Sequence, residues 1–172
     1  MPRLFVGIDF PTEVKLSLAK PCAGVPGAKW VEPSKFHLTL RFIGTVEEPM
    51  AAEITAALRR VAAPRFGLTL AGVGHFGRHT LWVGVEENPA LMCLQGKIEN
   101  ELQRVGLTAE ARPYLPHVKL AHLRRCRRLH VFLTKNAEFR IDPFEVRSFS
   151  LIESHPSASG AIYGHKADYA LR

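Results

Sequence analysis

The segment Phe36–Gly44 carries the plainest pattern in the chain: Phe36, Leu38, Leu40 and Phe42 alternate with His37, Thr39, Arg41 and Ile43. A period of two predicts a β-strand with one apolar face and one face bearing polar groups. Leu4–Ile8 predicts a shorter strand ahead of it. Val14 and Leu18, four apart within Pro11–Lys20, predict a modest helix between the two. Behind the strand, Met50, Ile54, Leu58 and Val61 form the apolar stripe of a second helix. Its start is read from the capping-box spacing of Thr45 and Glu48, with Pro49 in the first turn, and its end from Arg59 and Arg60.

The second half repeats this grammar. Phe66–Val73 and Thr80–Val85 predict two strands around a glycine-rich turn. Asn88-Pro89 caps a long helix whose apolar face is Leu91, Leu94, Ile98, Leu102 and Val105, and Gly106 stops it. His117–Leu123 is a strand, Leu129–Asn136 a short helix and Phe144–Glu153 one further strand. A Ser/Gly/Pro-rich turn at His155–Gly164 precedes a last strand near Lys166–Leu171. The order is β-α-β-α-β followed by β-α-β-α-β-β. Within it, His37-Leu38-Thr39-Leu40 and His117-Val118-Lys119-Leu120 begin 80 residues apart, each on a strand with a helix after it. This echo predicts an internal duplication with two lobes that face each other.

At 172 residues the chain suits one domain, spanning 1–172. Apolar residues at 47% and charged residues at 23% are near globular averages, which excludes a disordered tail, a collagen-like repeat and a disulfide-stapled miniprotein. No apolar run approaches the roughly 18 residues of a membrane helix. Asp9 closes the N-terminal apolar run, so that run reads as a strand and not as a secretory signal. Cys22, Cys93 and Cys126 are scattered, odd in number and without metal spacing, which points to reduced thiols in a cytoplasmic protein. Lys and Arg number 23 against 16 acids, a net charge of +7 that favours a polyanionic partner. Arg124-Arg125-Cys126-Arg127-Arg128 concentrates that charge, either as a solvated loop or as a phosphate-contacting edge.

Several motifs fall away on physical grounds. Gly72-Val73-Gly74-His75-Phe76-Gly77 fits G-x-G-x-x-G, but a dinucleotide fingerprint must open a helix, and here a strand pattern follows. Eight histidines invite a metal, yet His75 and His79 lie at a turn where a spacing of four does not align two rings. There is no H-E-x-x-H, and acids do not cluster near the histidines. No metal and no cofactor is expected. Neither a G-x-S-x-G elbow nor a phosphate-binding G-x-x-x-x-G-K-[ST] loop is present.

The two histidine strands remain. Residue i+2 on a strand points to the same side as residue i, so His37 brings Thr39 and His117 brings Lys119. Two imidazoles across one cleft supply an acid and a base near neutral pH. A hydroxyl and an ammonium can hold phosphate oxygens and stabilise the extra charge of a pentacoordinate transition state. This set suits in-line attack on a phosphodiester without metal.

These strands, with Leu4-Phe5-Val6-Gly7-Ile8, Phe76–Gly84, Phe144-Glu145-Val146, Leu151–Ser154 and Gly160-Ala161-Ile162-Tyr163, resemble the two-histidine phosphoesterases over nearly the whole chain. Specifically, the chain resembles the LigT-like RNA 2',3'-cyclic phosphodiesterases, also named RNA 2',5'-ligases. The resemblance implies an α+β fold of two pseudo-symmetric lobes, with largely antiparallel sheets, helices outside and a central cleft. It implies a monomer that hydrolyses an RNA or nucleotide 2',3'-cyclic phosphate to the 2'-phosphomonoester, with reverse 2',5' ligation. His37 and His117 would be catalytic, and Thr39 and Lys119 would bind phosphate. Arg41, His122, Arg124, Arg125, Phe76 and Tyr114 are candidate RNA or phosphate contacts. Two positions depart from the family pattern: Lys119 stands where the second motif has Thr, and His122 where Arg is usual. An RNA-binding module with a decayed second motif is one alternative. A phosphodiesterase for small cyclic nucleotides or 2',5'-linked oligonucleotides is another.

Overall fold

The computed structural model describes residues 1–172. The elements run β1 (Arg3–Asp9), α1 (Thr12–Ala19), β2 (Ala28–Trp30), a short 3-10 turn (Pro33–Lys35), β3 (His37–Thr45), α2 (Glu48–Leu58), β4 (Phe66–Phe76) and β5 (Thr80–Val85). They continue with α3 (Pro89–Arg104), β6 (His117–Leu123), α4 (Leu129–Lys135), β7 (Arg140–Val146), β8 (Ser148–Ser157) and β9 (Gly160–Ala170). The strands form two antiparallel sheets, one of order β3-β1-β8-β9 and one of order β2-β6-β5-β4-β7. This is the expected α+β architecture. The lobes are not contiguous halves of the sequence, however. The first sheet is completed by the C-terminal hairpin β8–β9, and the second borrows β2 from the first half.

Each helix turns its apolar stripe into a shared core. Val14 and Leu18 of α1, Ile54 and Leu58 of α2, and Leu91, Leu94, Ile98 and Leu102 of α3 join Leu38, Leu40, Leu81, Val83, Val118 and Leu120 from the strands. Each such aliphatic side chain contributes roughly 1.5–3 kcal/mol on full burial. Asn88 caps α3 as expected, its side-chain oxygen accepting from the Leu91 amide at 3.0 Å, and Gly106 ends the helix at φ +99.

Four local expectations need correction. Thr45 does not cap α2. It is the last residue of β3, Glu47 holds the cap position, and no side chain closes that end. Phe144–Glu153 is not one strand. Val146 pairs with Phe66 in one sheet while Ser148 pairs with Ala170 in the other, so the chain changes sheet at Arg147. The apolar positions slip by one residue at this corner, from Phe144 and Val146 to Phe149 and Leu151, and that slip is its mark in the sequence. The turn placed at His155–Gly164 is mostly strand, because Ser157 pairs with Gly160 and only a tight turn lies between them. The glycine-rich run at 72–77 is also mostly strand, the end of β4. Gly72 adopts φ +74 near a register shift, and Gly74 lies under Trp82, whose indole occupies the space a Cβ would need.

Candidate active site

β3 and β6 approach each other across the two sheets, each led by a histidine. Both strands carry the same irregularity. Between β1 and β3 the register passes from Val6↔Arg41 to Gly7↔Thr39, skipping Leu40. Between β5 and β6 it passes from Leu81↔Ala121 to Trp82↔Lys119, skipping Leu120. A bulge puts two successive residues on one side and inverts the parity beyond it, which in β3 holds as far as a second skip at Ile43. Leu40 and Arg41 are accordingly both buried, as are Leu120 and Ala121. The cleft face therefore carries positions i, i+2 and i+5 on both strands: His37, Thr39 and Phe42 on one, His117, Lys119 and His122 on the other.

All six line one cleft of about 560 Å3. A slightly larger groove of about 610 Å3 is ringed by Asp9, Glu13, Glu145 and Asp168, and that charge disfavours an anion. The cleft is the basic one. Arg3, Lys29 and Lys119 line it without a carboxylate partner, and its one acid, Glu32, lies 3.6 Å from Lys35.

The two imidazoles are held by the same device. Nδ1 of His37 donates to the Lys35 carbonyl at 2.9 Å, and Nδ1 of His117 to the Leu115 carbonyl at 2.7 Å. A carbonyl only accepts, so each neutral ring carries its proton on Nδ1 and keeps Nε2 as the basic nitrogen. Nε2 of His37 meets the Thr39 hydroxyl at 2.9 Å. Nε2 of His117 has no protein partner.

Their surroundings differ. His37 packs against Phe5, with ring centroids 4.8 Å apart, and edge-on to Tyr163 at 5.3 Å. Burial lowers its pKa, against the opposing pull of the Lys35 carbonyl and the Asp9 carboxylate, while Lys15 adds to the lowering. His117 meets Phe76 edge-on at 4.8 Å, and its ring is on the more open side, its carbonyl bond exposed where that of His37 is half-buried.

Of the candidate residues, the cleft brings together His37, Thr39, His117, Lys119 and His122. It does not include Arg41. The bulge turns that side chain inward, where Nε meets Glu99 at 2.6 Å and Nη1 donates to the Phe42 carbonyl. Tyr114 is no surface contact either: its hydroxyl donates to the Thr39 carbonyl at 2.8 Å, tying the approach to β6 onto β3. Burial raises its pKa, which keeps the phenol a neutral donor. Phe76 touches the His117 ring and stands outside the cleft lining. Arg124 and Arg125 are exposed in the loop after β6, also outside that lining.

Sequence reading missed Arg3, Lys29, Phe42 and Tyr163. Lys29 sits on β2 opposite His122; three residues are too few to show a period. The bulge hid Phe42, and the misread C-terminal turn hid Tyr163.

The family model of the 2'-5' RNA ligase superfamily matches residues 13–157, which include both histidine strands. An Aeropyrum pernix protein named RNA 2',3'-cyclic phosphodiesterase is 36% identical over 148 residues, covering 81% of this chain and 84% of that protein. The chain belongs to the 2'-5' RNA ligase superfamily. A Thermotoga maritima member with the same name is 32% identical over 171 residues, 94% of this chain and 91% of that protein. Among solved structures, E. coli LigT complexed with 3'-AMP superposes with a TM-score of 0.84 at 24% identity, covering 99% of each chain. At that identity the likeness speaks for the fold. Within the superfamily match, β3 and β6 supply the paired histidines, while Arg3, Phe5 and Tyr163 fall outside it.

Proposed function

We propose that the chain is an RNA 2',3'-cyclic phosphodiesterase that opens the cyclic phosphate to a 2'-phosphomonoester, with both catalytic groups supplied by this one chain as a monomer. The observation that carries the reading is the pair of imidazoles, each fixed through Nδ1 to a carbonyl two residues back, on strands that share one basic cleft. Water attacks phosphorus and the 3' oxygen leaves. His117 takes the proton from water through Nε2, which no protein group occupies and which lies on the more open side. His37, walled by Phe5 and Tyr163, gives its proton to the leaving oxygen. The Thr39 hydroxyl and Lys119 ammonium hold the phosphate oxygens as charge grows on them. With an RNA 5'-hydroxyl in place of water, the same displacement makes a 2',5' bond without ATP.

Support for an intact second motif comes from His117 itself. Its hydrogen bond and aromatic neighbour reproduce those of His37, so the Lys119 change leaves the imidazole held. The exposed arginines at 124, 125, 127 and 128 continue from β6 and favour RNA over a small anion. No helix is long and apolar enough to cross a membrane, and three unpaired cysteines suit the reducing cytoplasm.

The test is a short RNA ending in 2',3'-cyclic phosphate, incubated with the protein in chelator. The 2'-monoester is the expected product. His37→Ala and His117→Ala should each lower turnover about 10²–10⁴-fold, the scale of lost general acid–base help. A 3'-monoester, near-normal turnover in either variant, or activity only with added metal would overturn the mechanism.

A further inference from the structure

The cleft extends well past the two histidines. His37 pairs with Asp9 at one end of β1, and Thr45 with Arg3 at the other. At about 3.4 Å per residue, that backbone path is about 20 Å long, longer than one nucleotide. Its far part has a composition of its own. Phe42 is 48% exposed and Tyr163 37% exposed, high values for aromatic rings. The Phe5 ring joins Tyr163 to the histidine, 4.8 Å from His37 and 5.3 Å from Tyr163, and Phe5 pairs with Phe42 between β1 and β3. Arg3 places its guanidinium 5.3 Å from the centre of the Phe42 ring and has no carboxylate partner. Arg3, Ser154 and Tyr163 lie abreast on β1, β8 and β9, and all three line the cleft.

An aromatic floor that ends in an unpaired cation is the arrangement by which proteins hold single-stranded nucleic acid: bases stack on the rings and the cation meets the backbone. We propose that this end of the cleft is a subsite for the RNA chain upstream of the reacting end. Phe42 receives the base of the penultimate nucleotide, and Arg3 binds the phosphate beyond it. The inference rests on the cyclic phosphodiesterase reading and adds a substrate class to it: an oligonucleotide of three or more residues over a mononucleotide. It also accounts for the pairing of Arg3 with Phe42. The ring pre-orients the guanidinium, which loses less freedom on meeting a phosphate.

The experiment compares kcat/KM for a mononucleoside 2',3'-cyclic phosphate with that for a trinucleotide bearing the same end. In the wild type the trinucleotide should be favoured. In Arg3→Ala and in Phe42→Ala that preference should fall about 10-fold, the scale of losing one stacking contact. Both side chains are exposed, and thermal melting will verify that each variant folds. A second arm measures binding of a 3'-phosphorylated trinucleotide against salt. There Arg3→Ala should flatten the log–log slope by about 0.7, the share of one single-strand phosphate contact. A preference that survives both substitutions overturns the subsite. If the wild type turns over neither substrate, the reaction reading fails, and the salt slope alone decides the subsite. An unchanged slope in Arg3→Ala then overturns it.

Discussion

Arg41 offers a sharp test of the bulge argument. As an alternating strand residue it belongs beside His37 on the substrate face. In the fold it is 9% exposed and bound to Glu99, itself 15% exposed, through Nε at 2.6 Å. Two backbone carbonyls, those of Phe42 and Thr108, take further guanidinium protons. Glu99 in turn accepts from Gln103 and from the Glu110 amide, both at 3.1 Å. Arg41→Ala leaves this carboxylate buried without its cation. Breaking such a pair costs about 3–5 kcal/mol, and the residual exposure places this one near the lower bound. Against a total stability of about 5–15 kcal/mol, that is a large loss. Glu99→Gln should cost a comparable amount. The double variant Arg41→Met/Glu99→Leu should recover most of it, because a well-packed apolar pair often matches a buried ion pair.

Urea unfolding at neutral pH measures these costs, and trinucleotide kinetics at a temperature where the variants stay folded complete the test. KM should hold near the wild-type value in all three. Native-like stability in Arg41→Ala together with a KM raised about 10-fold or more would show that the side chain reaches substrate, and would refute the parity inversion. The pair also carries a pH signature. Burial raises the Glu99 pKa, but hydrogen bonds from Arg41, Glu110 and Gln103 and the Arg41 charge outweigh it, so the net shift is downward. A depressed carboxylate contributes stability above its unfolded value of about 4.3, and the contribution vanishes as pH falls through the folded value. The wild type should therefore lose this increment on acidification below pH ~4, while the double variant has none to lose.

Three further outcomes are expected. Lys119→Thr should lower turnover about 10–100-fold, less than the roughly 10²–10³-fold of a donor removed outright, since the hydroxyl keeps a donor and loses the charge; equal or higher turnover would show that Lys119 does not meet the phosphate. Tyr114→Phe should cost about 1 kcal/mol in melting experiments for one net hydrogen bond, with kcat falling more than KM rises, because the lost bond positions Thr39 relative to β6; a stability loss with kcat untouched would make Tyr114 a structural residue only. His37 must be protonated to act as acid, so its lowered pKa should place the alkaline limb of kcat/KM below the ordinary histidine value of about 6.5, and Asp9→Asn, which removes a carboxylate that favours the imidazolium, should move that limb lower still; an upward move would contradict the assignment of His37 as acid.

The parts of this site that depend on short-range periodicity were legible in the sequence. His37 with Thr39, and His117 with Lys119, sit two apart ahead of either bulge, so alternation placed them correctly. Alternation failed at Arg41 and Phe42, because a bulge inserts one residue without altering the apolar pattern: Leu40 and Leu120 are hydrophobic on either reading. At Arg147, where the chain leaves one sheet for the other, the alternation itself slips by one between Val146 and Phe149, and reading a single strand through that slip missed the corner. Long-range pairing was out of reach. Nothing near Lys29 in sequence indicates that β2 joins the sheet of β6, and nothing near Tyr114 that its hydroxyl meets the Thr39 carbonyl 75 residues away. The α3 cap, by contrast, is a local bargain between Asn88, Pro89 and the Leu91 amide, and it was read correctly.

The repeated bulge explains how one backbone plan serves two different half-sites. Both strands present positions i, i+2 and i+5 to the cleft, so the duplication fixes where side chains stand and leaves their chemistry free to diverge. On the β3 side the companions of the histidine are neutral, Thr39 and Phe42, with Phe5 and Tyr163 enclosing the ring. On the β6 side they are Lys119 and His122, both exposed, with Lys29 paired opposite His122 on β2. In the proposed mechanism the phosphate beside the histidines is therefore drawn toward Lys119, while the Phe5 and Tyr163 rings flank His37 and Arg3 stands farther along β1. On that reading a cyclic phosphate sets its charged oxygens toward Lys119 and its ribose toward Phe5 and Tyr163. The leaving 3' oxygen belongs to the ribose, so it falls on the side of His37, and the solvated side left for the attacking water is that of His117. The division of labour we propose between two histidines held in the same way thus rests on what surrounds them.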